Sequence, residues 1–376
     1  MAAHARHRSS ASLADTLSEL RIRPEEIPGD ILNLFVPRAA EVDQEHDKRL
    51  HELAQHLAES FSVHAAATYA LEHEPWDFAA VYYRAIDWLC HHFMEFYAPR
   101  REHISERDFA IYHDVVNGAY RLHDLMLGRL LQLAGDDCTV LLVSDHGFKS
   151  GAARPLETPN VPLGITVWHR SHGVLAMRGE KLRRDELIHG ASILDITPTI
   201  LSLFNLPVAF DMDGRPLAEA FLETPAPGHR DTYESKPFAR ARARNASDRE
   251  LIKQFADLGY IDDAAANADE NIRATTREEN WALAQSYLDA GKLADALPLL
   301  ENVFAQWPTR GDYCIELALC QMNLGLLEEA EATLDTLAPE RRRAGMLVLR
   351  ANIALRPPRL RHDARNIAHA GKRRRA

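Results

Sequence analysis

A chain of 376 residues with 46% hydrophobic content is long and apolar enough for two separately packed parts. With 44 basic against 55 acidic residues its net charge is −11, which argues against nonspecific nucleic-acid binding by the body of the protein. Four cysteines (Cys90, Cys138, Cys314, Cys320) form no paired framework, no secretion signal is visible and no run approaches the about 18 apolar residues of a membrane span, so a cytoplasmic protein without a membrane partner is expected.

Residues 1–12 are polar and basic. From 41 to 72 apolar residues recur at helical spacing (Val42, Leu50, Leu53, Leu57, Phe61, Ala65, Tyr69), which predicts a helix. Phe78 to Tyr83 reads as a strand that leads into Asp87 and, four residues on, His91. Trp88, Leu89 and Phe93 suggest a helix opening at Asp87, and positions i and i+4 share a face, so both side chains can reach one cation. Residues 105–134 predict one long helix ending near Gly135.

The run Thr139 to Val143 predicts a buried parallel strand, with Asp145-His146-Gly147 at its carboxyl end, where open α/β sheets place their chemistry. A third apolar run, Val174 to Met177, follows His169 and His172. Carboxylate oxygens and imidazole nitrogens in this mix suit Zn²⁺, with Mn²⁺ as an alternative. Thr197-Pro198 predicts a helix start, a capping hydroxyl followed by proline at the first helical position. Strands alternating with helices predict an α/β fold, a mostly parallel sheet with helices on both faces.

Residues 223–277 read as a linker, marked by Pro225, Pro227, Gly228, Pro237 and the Arg240 to Arg244 run, with a short helix at 248–261. Over 278–355 the text repeats at a 34-residue period. Ala284, Tyr287, Gly291, Ala296, Leu300 and Pro308, answered by Ala318, Gly325, Ala330 and Leu334, resemble tetratricopeptide repeats, which implies an all-α region that binds a protein partner. The first helix of a third repeat is expected at 344–355, stopped by Pro357-Pro358, and 356–376 is a basic tail.

The order Asp87-x-x-x-His91, then Ser144-Asp145-His146-Gly147, then a histidine shortly before an apolar strand resembles the alkaline phosphatase superfamily, in its type I phosphodiesterase and nucleotide pyrophosphatase branch. Ala191 to Leu201 and Asp213-Gly214-Arg215-Pro216-Leu217 resemble the segment that closes such domains, and Leu258-Gly259-Tyr260-Ile261 resembles their end. The resemblance spans 13–260, with the domain itself placed at 1–222.

It implies an alkaline-phosphatase-like fold, metal-dependent hydrolysis of a small phosphate ester and a two-metal site. Asp87, His91 and a late histidine would hold one ion, and Asp145 and His146 the other, about 3.5 to 4 Å away. Trp168-His169-Arg170 matches the family's His-Arg-x-x-Gly pattern and places the late ligand at His169, with His172 as the alternative. The family's N-terminal strand, ending in a metal-binding Asp and followed by a Thr or Ser nucleophile, has no counterpart here. Ser60, Ser62 and Thr68 fall inside a helical pattern. The domain is therefore expected to be N-terminally incomplete, with no assignable nucleophile, one Zn²⁺ well held rather than two, and crippled hydrolysis. The rival expectation is a noncatalytic scaffold that binds a protein through its repeats.

Overall fold

The periodic apolar residues of the N-terminal third fold as helices around one core. In a computed structural model that describes residues 10–159, 163–233, 268–337 and 344–355, the first are α1 (Ser10–Glu19), α2 (Gly29–Phe35) and α3 (Arg49–His73). Leu50, Leu53 and Leu57 line the inner face of α3 and pack with Leu89 and Phe93 of α4 (Ala85–Phe93). Tyr112 of α5 (Glu106–Tyr112) and Val115 and Ala119 of α6 (Val115–Ala134) complete that core. The single helix expected over 105–134 is thus two. Asp114 stands at the N-cap of α6, and its carboxylate accepts from Asn117 Nδ2 and Arg121 Nη1.

Contacts divide the chain into two units, Met1–Glu180 and Lys181–Ala376. In the first unit β1 (Val140–Ser144) and β2 (Gly147–Phe148) precede β3 (His169–Arg170) and β4 (Val174–Arg178). β1 pairs antiparallel with β4, setting Val140 opposite Arg178 and Ser144 opposite Val174, and β2 pairs antiparallel with β3. In the second unit β5 (Val208–Ala209) and β6 (His229–Arg230) form a short parallel pair.

The described residues therefore hold three two-stranded sheets, not the mostly parallel sheet covered on both faces that the alternating pattern predicts. β1 is antiparallel and its Leu142 is 45% exposed, against the expectation of a buried parallel strand. Phe78 to Tyr83 is not a strand, and Phe78 and Tyr82 are exposed. An apolar run says that a segment can be a strand, but the ladder partner decides whether it is one and in which direction.

In the second unit, the Ser192 hydroxyl caps the turn Ile193–Asp195, which runs into α7 (Ile196–Leu203). The capping hydroxyl is therefore Ser192 rather than Thr197. Asp195 accepts the backbone N–H groups of Ser192 (3.0 Å) and Arg215 (2.8 Å), and the Thr199 hydroxyl accepts that of Leu217 (2.9 Å). These bonds join the two segments whose text resembles the close of a phosphodiesterase domain.

Among the described residues five helices follow: α8 (Ala268–Asp289), α9 (Leu293–Gln306), α10 (Gly311–Asn323), α11 (Leu327–Asp335) and α12 (Ala344–Leu355). α8 begins inside the stretch read as linker, where Ala274 and Thr275 are buried and reward helix formation. Ala284, Ala296, Leu300, Ala318, Ala330 and Leu334 are all fully buried, so the small residues at the repeat positions let paired helices approach closely. Gly291 and Gly325 take positive φ of 70° and 79° at the turns between helices of a pair, a conformation that favours glycine. Asp213 accepts from Lys292 Nζ (2.7 Å) and the Tyr287 hydroxyl (3.2 Å), tying the first repeat to the segment before it. The expected helix at 248–261, most of the linker around it and the basic tail lie outside the described residues. Among the described residues, no helix is long and apolar enough to cross a membrane.

Candidate metal centre

α4 buries Trp88, Leu89, Cys90 and Phe93 in the core and carries Asp87 in its first turn and His91 in its last. A carboxylate near a helix N-terminus suits the helix dipole. The i, i+4 spacing places His91 Nε2 3.4 Å from Asp87 Oδ1. From the far side β3 delivers His169, with its Nε2 3.4 Å from the same Asp87 oxygen and 2.8 Å from His91 Nε2.

His146 lies in the bend between β1 and β2. Its Nε2 is 3.7 Å from Asp87 Oδ1, and its ring stacks on that of His169 with centroids 3.8 Å apart. Asp145 stays at the rim: its side chain is 75% exposed, and Oδ1 accepts the N–H of His146. Of the five residues singled out in the sequence, Asp87, His91, His169 and His146 thus gather around one carboxylate oxygen, and Asp145 stands outside that group. His172 is exposed and is not among the converging donors.

Close backbone crossings make this arrangement possible. A Cβ on Gly173 would lie 1.9 Å from the Ser144 carbonyl oxygen, and one on Gly147 would lie 2.6 Å from that of His172. Lys149 then donates from its backbone N–H to Trp168 O (2.8 Å) and from Nζ to Val167 O (2.7 Å), fastening the turn after His146 to the chain before His169.

The donors suit a divalent cation on two counts. Tetrahedral Zn²⁺ with ligands at about 2.0 to 2.1 Å sets neighbouring ligand atoms about 3.3 Å apart. The 2.8 to 3.4 Å separations among Asp87, His91 and His169 bracket that value. The protonation states also fit, since a metal needs an ionised carboxylate and neutral imidazoles. Burial pushes Asp87 up, but the hydrogen bonds of His169 and His91 outweigh it and hold the carboxyl well below its usual range. Burial lowers His169 to about 4 against the raising effect of its bond to Asp87, so its ring is neutral at neutral pH. A second acidic group, Asp43, Glu45 and His46, is wholly exposed within one turn and has no such surroundings.

Two features of the site carry no sequence signal of comparable strength. Phe148 packs across both His91 and His169, and only its place beside Asp145-His146 hints at it. Trp88, between the two α4 donors, is sandwiched by His56 of α3 (3.4 Å) and by His92 (3.7 Å). The i, i+4 pair Trp88 and His92 is legible on one helix, whereas the approach of α3 is not.

A family model described as type I phosphodiesterase / nucleotide pyrophosphatase matches residues 2–189, half of the chain, and a tetratricopeptide repeat model matches residues 287–353. Comparison with curated proteins and with solved structures finds no match.

Proposed function

Because the chain belongs to the type I phosphodiesterase / nucleotide pyrophosphatase family, we propose that Asp87, His91 and His169 hold one divalent cation at a site for phosphate esters, and that the repeats recruit a protein partner. The convergence of these three side chains from α4 and β3 carries the reading. One carboxylate and two imidazoles favour Zn²⁺, with Mn²⁺ as the alternative. What the cation supplies when bound is Lewis-acid polarisation of a phosphoryl oxygen.

The protein's own groups do the rest. Asp87 contributes the negative charge that a cation needs in a partly buried site, and neutral His169 offers a lone pair without repelling it. His146 stands beside the cluster with Nε2 3.7 Å from Asp87 Oδ1, and its Nδ1 donates to Gly147 O (3.2 Å), which leaves a lone pair on Nε2 facing the cluster. Exposed Asp145 beside it makes a weak place for a second cation, so the proposal is one ion well held.

The hydroxyls in reach of a sequence argument serve structure instead. Ser144 donates to His146 O (2.7 Å), Ser62 to Ala58 O (2.7 Å) and Thr68 to His64 O (2.9 Å). With these hydroxyls engaged elsewhere, hydrolysis by this chain is proposed to be very slow, since a covalent path and the groups that serve it act as a unit. With bis-p-nitrophenyl phosphate or p-nitrophenyl phosphate and Zn²⁺ or Mn²⁺, turnover should fall orders of magnitude below the about 10 s⁻¹ of ordinary enzymes. Ordinary turnover that is abolished by His91→Ala and Asp145→Ala would overturn this part of the proposal.

The scaffold reading is favoured by the repeats themselves, whose buried alanines build a stacked helical surface of the kind that binds peptides. A reducing, cytoplasmic setting is part of the proposal, supported by the free thiols of Cys90, Cys314 and Cys320 in buried positions.

A further inference from the structure

We propose that Phe148 is the positioning residue of the donor cluster: its ring fixes the imidazoles of His91 and His169 in the orientation that turns both Nε2 atoms toward Asp87. This rests on the metal-site reading above and adds a residue to it.

Histidine χ2 is a broad, soft torsion, so a backbone that delivers an imidazole does not by itself aim its nitrogen. Phe148 supplies a wall. Its ring centroid lies 4.8 Å from that of His91 at 76° and 5.8 Å from that of His169 at 61°, near-perpendicular contacts to both rings. Swinging either imidazole about χ2 changes its angle to the phenyl ring and gives up that edge-to-face packing.

The wall is itself anchored. Phe148 sits opposite His169 in the β2–β3 register, so its position and that of one donor are fixed by the same ladder. Behind it lies Trp168, with centroids 6.1 Å apart at 27°. Trp168 is buried, and its Nε1 donates to the Thr158 hydroxyl at 2.9 Å. Phe148 therefore cannot retreat without opening the core.

The test is Zn²⁺ affinity by chelator competition on the full chain, together with the ligand-field absorption of the Co²⁺-loaded protein, for wild type, Phe148→Ala, Phe148→Leu and Phe148→Tyr. Phe148→Ala and Phe148→Leu should bind Zn²⁺ at least about tenfold more weakly, with a changed Co²⁺ band, and Phe148→Tyr should stay within about twofold of wild type. Phe148→Leu keeps apolar volume without a flat ring, so with a native circular dichroism spectrum it decides the matter even if Phe148→Ala fails to fold. Wild-type affinity and an unchanged Co²⁺ band in folded Phe148→Leu would overturn the role of Phe148 while leaving the metal site standing. A wild-type chain that binds neither metal would overturn both.

Discussion

The Nε2 atoms of His91 and His169 lie 2.8 Å apart although 78 positions separate them in the chain. Two such nitrogens in contact can share at most one proton between them, and both also face one oxygen of Asp87 at 3.4 Å. A cation at this point would satisfy all three donors at once.

The crossing behind the cluster should be intolerant of any side chain. At Gly173 an added methyl would fall 1.9 Å from Ser144 O, a backbone atom that cannot step aside without moving Asp145 and His146. Gly173→Ala is expected to cost about 1 to 3 kcal/mol of stability by overpacking, with weakened Zn²⁺ binding. Urea unfolding and a metal titration on the same preparation check this, and wild-type values for both would contradict the geometry.

Acid should loosen the start of α3 through Asp47. Its carboxylate accepts from Arg49 Nε (2.8 Å) and Nη2 (2.7 Å) and from the Tyr112 hydroxyl (2.7 Å). Burial pushes the carboxyl up, but these bonds outweigh it and hold it at about 2, below the usual 3.8. As pH falls, the unfolded chain takes up this proton before the folded one does. The stabilisation is therefore complete above 3.8 and is lost between there and about 2. Hydrogen exchange in α3 and α5 should show wild type better protected than Asp47→Asn above that window, with the gap closing through it. A gap independent of pH would contradict the assignment.

How much of this was legible in the sequence depends on whether the signal is local. Asp87 and His91 share a helix, and their spacing alone puts them on one face. The repeats are legible because each unit restates the same small, bulky and glycine positions, and Ala284, Ala296, Ala318 and Ala330 are buried in turn. Strand pairing is not local. Nothing in Val140 to Ser144 says that its partner is Val174 to Arg178 running the other way, and nothing in Phe78 to Tyr83 says that it pairs with no strand among the described residues. Phe148 was illegible for the same reason, because its role exists only once β2 meets β3.

Within the repeats, Glu278, Arg310 and Tyr313 form a buried polar knot. Arg310 Nη1 lies 3.2 Å from Glu278 Oε1 and 2.9 Å from the Tyr313 hydroxyl, which donates to Glu278 at 2.8 Å. Arg310 keeps Asp312 as a second carboxylate partner (Nε to Oδ1, 2.9 Å), so Glu278→Ala removes one charged hydrogen-bonding partner of two and should destabilise the repeat region by about 2 kcal/mol. Denaturant unfolding followed by hydrogen exchange in α8 and α10 measures it. A loss under about 1 kcal/mol, typical of an exposed pair, would show the knot to be dispensable.

Ala296 is fully buried and packs in one cluster with Ala284 and Leu300. Ala296→Arg brings both excess volume and an unpaired charge into that space, so helix protection and protease resistance across α8 to α12 should collapse. Unchanged protection in this variant would count against paired repeat helices.

The central claim is that Asp87, His91 and His169 form one three-ligand cation site, and elemental analysis after exhaustive dialysis tests it most directly. About one equivalent of Zn²⁺ per chain should remain in the wild type, as suits three ligands with an open position. It should be lost in His91→Ala and in His169→Ala, and retained in His172→Ala. Two equivalents that survive dialysis, none at all, or a single equivalent indifferent to His91 and His169 would contradict the account.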